Sequence, residues 1–170
     1  MIFATTNAIQ DILAEKKTQT RRLVKEGDIR MPIEGEKINC VGILNKNDPT
    51  KIILKWVVGK TYAVQSGRGK PCAWYCPKCK AIINKLPKEF KEFKNKDKAL
   101  QCSFCCYHGI MKPLRIRITS IRKEKLKEIS LLDAKAEGFK DIAEFISIFK
   151  KINPKSSVED EVWAICFKVN

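Results

Sequence analysis

The sequence predicts an α+β fold: a small β-barrel flanked by short helices and interrupted by an inserted metal-binding module. Several short β-rich runs follow one another closely, which favours a barrel over a layered α/β fold. The run Leu114 to Ile121 alternates, sending Leu114, Ile116 and Ile118 inward and Arg115, Arg117 and Thr119 outward. Finally, Cys76-Pro77-Lys78-Cys79 and Cys102-Ser103-Phe104-Cys105 form a pair of C-x-x-C knuckles.

The N-terminal stretch organises the rest. After a short strand at Ile2 and Phe3, Asn7 can cap a helix whose residues Ala8, Ile9, Ile12 and Leu13 form one apolar stripe. The period then changes to two, with Thr18, Thr20 and Arg22 pointing one way and Gln19, Arg21 and Leu23 the other. Lys16, Lys17, Arg21, Arg22 and Lys25 crowd this junction, and a bound anion such as phosphate would relieve their repulsion.

Residues 26 to 36, with Gly27, Gly35 and Pro32, read as a loop. Residues 37–44 and 51–58 read as a hairpin joined through 45–49, and 61–65 as a further strand. The run Ser66 to Pro71 is a flexible basic loop and a hinge into the inserted module. Its glycines would let backbone N–H groups approach a phosphate beside Arg68 and Lys70. Beyond the module, Ser130-x-x-Asp133 starts a helix that Gly138 stops. Residues 141–151 form a second helix, with Ile142, Phe145, Ile146 and Phe149 on one face and Pro154 preventing its continuation. The run Glu161 to Val169 is apolar enough to be a central strand.

The knuckles place two thiolates on each of two tight turns, the arrangement that a tetrahedral four-sulfur zinc site needs. Cys76, Cys79, Cys102 and Cys105 are the expected ligands, with Cys106 or His108 close enough to replace Cys102 or Cys105. A closed set of four cysteines leaves no open coordination position, so the zinc would be structural. Between the knuckles, Lys85 to Lys98 is lysine-rich with Phe90 and Phe93 three apart, a short basic helix or a solvated loop. Cys40 and Cys166 read as core residues. The expected division is thus a discontinuous barrel domain, residues 1–71 and 112–170, with a zinc-ribbon insertion at 72–111.

Lys and Arg number 34 against 19 Asp and Glu, a formal charge of +15. That excess points to an anionic partner, nucleic acid above all, the alternative being the lysine-rich surface of a heat-adapted protein. No stretch approaches the roughly 20 apolar residues of a membrane span. The start lacks the basic-then-apolar order of a signal peptide. A soluble cytoplasmic protein is expected.

Residues 12 to 22, with Lys17, Thr18, Thr20 and Arg22, resemble the opening motif of the ASCH domain family of the PUA-like superfamily, which reads I-L-x-G-x-K-T-x-T-R in phage and archaeal members. Glu15 stands where the family usually has glycine. The runs Val58 to Gln65 and Trp163-x-Ile165-x-Phe167 are similar to the family as well, and the zinc insertion departs from its minimal pattern. The resemblance covers roughly residues 1–70 and 112–170. It implies a PUA-like β-barrel that binds RNA or a modified nucleotide in a basic cleft at the motif, through Lys16, Lys17, Thr18, Thr20, Arg21, Arg22, Arg68 and Lys70. A bacterial branch of the family hydrolyses the amide of N4-acetylcytidine with a lysine and a threonine of the motif and a helix glutamate. Lys17, Thr20 and Glu137 match these by position. Such an amidohydrolase, or a ribonuclease, is the alternative to binding alone, and a zinc ribbon recruiting a protein partner is a third. As an enzyme, the chain would use Thr20 as nucleophile, Lys17 as base and Glu137 to orient the lysine. The lone His108 does not support a two-histidine ribonuclease.

Overall fold

The computed structural model describes residues 6–32, 38–65, 72–83, 102, 104–105 and 112–170. In chain order the elements are α1 (Thr6–Leu13), β1 (Gln19–Leu23), β2 (Asp28–Pro32), β3 (Ile38–Asn45), β4 (Asp48–Val57), β5 (Thr61–Ala63), β6 (Trp74–Tyr75), β7 (Ile82–Ile83), β8 (Lys112–Pro113), β9 (Arg115–Lys125), α2 (Leu131–Ala136), α3 (Ile142–Ile152) and β10 (Glu161–Val169). A single 3-10 turn at Leu126–Glu128 links β9 to α2. The fold is mixed α+β, with a curled half-barrel sheet and few short helices. No helix among the described residues is long and apolar enough to cross a membrane.

The chain divides into two compact units: Met1–Ala14, Tyr62–Ile116 and Val169–Asn170 in one, Glu15–Thr61 and Arg117–Lys168 in the other. In the second, the strands follow the order β1-β10-β9-β3-β2, with β4 added on β3. β10 is central, as its composition predicts, with Val162, Trp163, Ala164 and Ile165 all buried. β1 runs antiparallel to it, Gln19 opposite Cys166 and Leu23 opposite Val162.

α2 forms where the sequence places it. The Ser130 hydroxyl accepts from the Asp133 N–H at 3.1 Å while the Asp133 carboxylate accepts from the Ser130 N–H at 3.4 Å, a reciprocal capping box. Gly138, at φ +89°, ends the helix. Its N–H donates to Lys135 and that of Phe139 to Ala134, closing a Schellman motif. α3 starts at Asp141, whose carboxylate caps the Glu144 N–H at 2.8 Å. Leu126, Ile129, Ala134, Phe145, Phe149 and Val162 pack together as the core under these helices, with Leu23, Phe139 and Ile146 at its margin. Each buried aliphatic or phenyl side chain contributes roughly 1.5–3 kcal/mol.

Three expectations are corrected. Residues 26–36 are not all loop. Gly27, at φ +80°, turns the chain, and Asp28–Pro32 then pairs with β3. Its mixed D-I-R-M-P composition carries no alternation strong enough to announce a strand. β5 ends at Ala63, Gln65 making an isolated bridge with Cys72. Cys166 is only half-buried, and its thiol donates to the Gln19 side-chain carbonyl at 3.5 Å on the neighbouring strand. Glu15 adopts φ +58°, the left-handed conformation that glycine would supply more easily. The expected strand at Ile2–Phe3 and the lysine-rich run 85–98 lie outside the described residues.

β3 and β4 come close at Gly42. A Cβ there would collide with the Ile52 side chain and stand 3.2 Å from the Ile53 carbonyl oxygen. Beside it the register slips: Val41 faces Trp56 and Gly42 faces Leu54, so Lys55 is the extra residue of a β-bulge.

In the other unit Ile9 and Ile12 of α1 are fully buried, as are Val64 and Leu114. β6 lies between β7 and β8 in a sheet of two-residue strands. Backbone bonds from Val64 to Leu114, Ala73 to Val64 and Leu114 to Ala73 knit this unit together.

Candidate functional site

The period-two alternation of β1 puts Gln19 and Arg21 on one face and Thr20 and Arg22 on the other. The first face meets the C-terminal end of α2. There the Thr18 N–H donates to the Ala136 carbonyl at 2.8 Å. Lys17 Nζ donates to the Glu137 carbonyl at 2.5 Å and to its carboxylate at 2.8 Å. Two carbonyls that the helix end leaves open are thereby satisfied, one by an ammonium placed at the negative end of the helix.

The pair belongs to a larger array. Arg21 Nε donates to Glu124 at 2.7 Å, and Nη1 to Glu137 at 3.4 Å. Its Nη2 stands 2.5 Å from Glu124 and 3.3 Å from Asp133, aligned as a hydrogen bond with neither. Arg122 joins the same two acids, at 2.6 Å to Glu124 and 2.8 Å to Asp133. Three cations, Lys17, Arg21 and Arg122, thus balance three carboxylates, Glu124, Asp133 and Glu137. The Phe139 ring centroid lies 5.9 Å from Lys17 Nζ, and that of Phe145 5.7 Å from the Arg21 guanidinium carbon. Lys17, Arg21 and Glu137 are 6%, 3% and 4% exposed, so their charges are held by one another and not by water.

Burial would raise the Asp133 pKa. The Arg122 and Ser130 hydrogen bonds and the charges of Arg122 and Arg21 outweigh it and hold the carboxyl at about 2. Burial would likewise lower Arg122, but Glu124 and Asp133 push it above its ordinary value. A carboxyl depressed in the fold stabilises above its unfolded pKa of about 3.9 and loses that contribution as pH falls towards 2. The urea midpoint of the protein is therefore expected to drop on acidification from about pH 4 to pH 2, and to drop less in Asp133→Asn. That variant keeps an acceptor for the Ser130 cap.

The second assembly is the cysteine cluster. Cys76, Cys79, Cys102 and Cys105 bring their four Sγ atoms within 4.8 Å of one another. Cys76 and Cys105 are 3.7 Å apart, Cys79 and Cys102 3.6 Å. A disulfide would need about 2.05 Å. A tetrahedron with metal–thiolate bonds of about 2.3 Å has edges of about 3.8 Å, so the donor set and its spacing fit zinc. The first knuckle is shaped by Lys80, at φ +61°, whose N–H donates to the Cys76 carbonyl at 2.9 Å while the Cys76 N–H donates to Ala81. Burial raises the Cys102 thiol, yet the N–H groups of Phe104 and Cys105 and the neighbouring thiols bring it down to about 7. Cys106 and His108 lie outside the described residues.

No family model matches the chain, and no curated protein matches it. One solved structure is similar. It is the crystal structure of protein EF3133 from Enterococcus faecalis V583, of the family DUF984, at 14% identity over 96% of this chain and 69% of that one, with a TM-score of 0.45.

The remaining motif residues separate from Lys17. Thr20 is buried on the opposite face of β1 from Arg21, and among the described residues its hydroxyl makes no hydrogen bond to Lys17 or Glu137. Thr18 shares its face, and Lys16 is exposed. Arg68 and Lys70 lie outside the described residues. Arg22 lines a cleft of about 330 Å³ together with Arg21, Leu23, Lys25, Lys55, Trp56, Ile152 and Asn153. Burial lowers the Arg22 pKa, and the Glu137 charge opposes the fall. Lys55 and Trp56 went unseen in the sequence because their common orientation depends on the bulge. Glu124 and Asp133 went unseen because one reads as the end of a strand and the other as a cap.

Proposed function

We propose that the chain binds RNA or a modified nucleotide in the manner of ASCH domains, with a PUA-like barrel as its frame, residues 72–111 as an insertion, and a structural zinc held by Cys76, Cys79, Cys102 and Cys105. What most supports binding is the number of cations that meet at one cleft. Arg21, Arg22, Lys25 and Lys55 gather at one cleft whose lining, among the described residues, includes no carboxylate, Arg21 being paired with Glu124 and Lys55 with Asp28. With a net charge of +15, such a cleft attracts a polyanion. Lys17 and Glu137 then tie the start of β1 to the end of α2, and Arg22 meets phosphate.

Retention of the protein on single-stranded RNA is expected at about 50 mM salt and to fall steeply by about 200 mM, since each phosphate contact contributes about 0.7 to the slope of log K against log salt. An affinity indifferent to salt would count against the proposal.

The contact between Lys17 and Glu137 favours one second reading, amide hydrolysis of N4-acetylcytidine-like nucleosides. It requires the Thr20 hydroxyl to come within about 3.2 Å of Lys17 when substrate is bound. Incubation with N4-acetylcytidine decides it: turnover abolished in both Lys17→Ala and Thr20→Ala supports catalysis, and no turnover by the wild type removes this substrate.

A further inference from the structure

The cleft beside Arg22 has more than charge. Arg22, Lys25 and Lys55 supply cations, Trp56 and Ile152 a flat apolar wall, and Asn153 an amide. The Asn153 Nδ2 donates to the Phe149 carbonyl at 3.0 Å, so its Oδ1 can accept from a ligand. Its volume of about 330 Å³ suits one small ligand or one unit of a longer one.

Two features make it a built site. Lys55 and Trp56 are neighbours in a strand and would ordinarily point to opposite faces, but the bulge at Lys55 lets both line the same cleft. Gly42 sits beside the bulge, where any side chain would meet Ile52. Lys55 is also fixed in place. It is ion-paired to Asp28, which accepts from the Lys25 N–H at 3.0 Å and from Trp163 Nε1 at 3.0 Å. One buried carboxylate therefore sets the backbone of Lys25 and the ammonium of Lys55. The Lys55 Nζ lies 5.8 Å from the centre of the Trp56 ring. A cation, a fork-shaped guanidinium and an indole at one small cleft match a phosphate joined to a planar base more closely than a bare anion, which needs no ring, or an acidic peptide, which needs no stacking platform.

We propose that this cleft holds a single nucleotide unit of a nucleic-acid strand or a free nucleotide, its phosphate between Arg22, Lys25 and Lys55 and its base against Trp56 and Ile152, with Asn153 Oδ1 accepting from the base edge. The assignment rests on the nucleic-acid reading above and adds to it the residues that read the unit. Trp56 supplies the specificity for a base, and the three cations supply the affinity for the phosphate.

Anisotropy of a fluorescein-labelled single-stranded oligouridylate tests it on the full chain. Trp56→Ala is expected to weaken binding about tenfold with the salt slope unchanged, as loss of one stacked base should. Trp56→Phe should retain most of the affinity. Lys25→Gln, at an exposed position, should lower the salt slope by about 0.7. Uridine monophosphate should compete where inorganic phosphate and oligoglutamate do not. If the wild type binds oligouridylate but the Trp56 and Lys25 variants match it in affinity and slope, or if oligoglutamate competes equally, the cleft assignment falls while nucleic-acid binding stands. If the wild type binds no strand even at about 50 mM salt, both fall together.

Discussion

Elemental analysis of the purified protein is expected to return about one zinc per chain, and none once Cys76 or Cys102 is replaced by serine. Both sulfurs are wholly buried, and four thiols gathered within 4.8 Å without a bond between them are otherwise hard to account for. The metal should also hold its surroundings. β6, β7 and β8 have two residues each, too few to persist as an isolated sheet. Structural zinc contributes on the order of 10–16 kcal/mol to folding in small metal-bound domains. Chelation should therefore disorder this sheet and change the fluorescence of Trp74, which packs against the cluster. Undiminished zinc in Cys76→Ser, or unaltered emission after complete chelation, would show that these cysteines hold no metal.

Glu137→Ala is expected to destabilise the protein by about 3–5 kcal/mol, the cost of leaving a buried charge without its partner. The substitution strips a carboxylate from both Lys17 and Arg21. Arg21 retains Glu124 and Asp133, and Lys17 loses its carboxylate contact while keeping the backbone carbonyl of residue 137 and the Phe139 ring. Removing both charges of the pair, in Lys17→Met with Glu137→Leu, leaves two cations facing two carboxylates. It should recover most of the loss, a coupling that a double-mutant cycle measures. Urea midpoints provide the readout. A loss below about 1 kcal/mol in Glu137→Ala would mean that water reaches the pair.

How much of this was legible beforehand depended on whether a feature is local. The alternation from Leu114 to Ile118, the Ser130–Asp133 box, the stop at Gly138 and the apolar run at Val162 each sit within a few residues, where propensity and periodicity act, and the structure follows them. The paired knuckles were as plain, because two thiolates on one turn leave little else to do. Contacts across the chain were not. Glu124 and Asp133 lie beside Arg21 only after β9 and α2 fold back on β1. The bulge at Lys55 comes from its mismatch with Gly42, on another strand. The cleft inherits that dependence. β2 was lost for a different reason: an edge strand of five residues with charges and a proline has no face apolar enough to show a period.

The place of β10 in the sheet bears on how the protein comes to be made. Among the described strands β1 has β10 as its neighbour, and its partners Val162 to Cys166 follow Gln19–Leu23 by some 140 residues. At translation rates of about 5–20 residues per second, the nascent Thr20-Arg21-Arg22 segment waits on the order of ten seconds for the strand that completes it. A hydrophobic segment left bare that long would invite association between growing chains. The two arginines that later settle among carboxylates and at the cleft keep it hydrated until then.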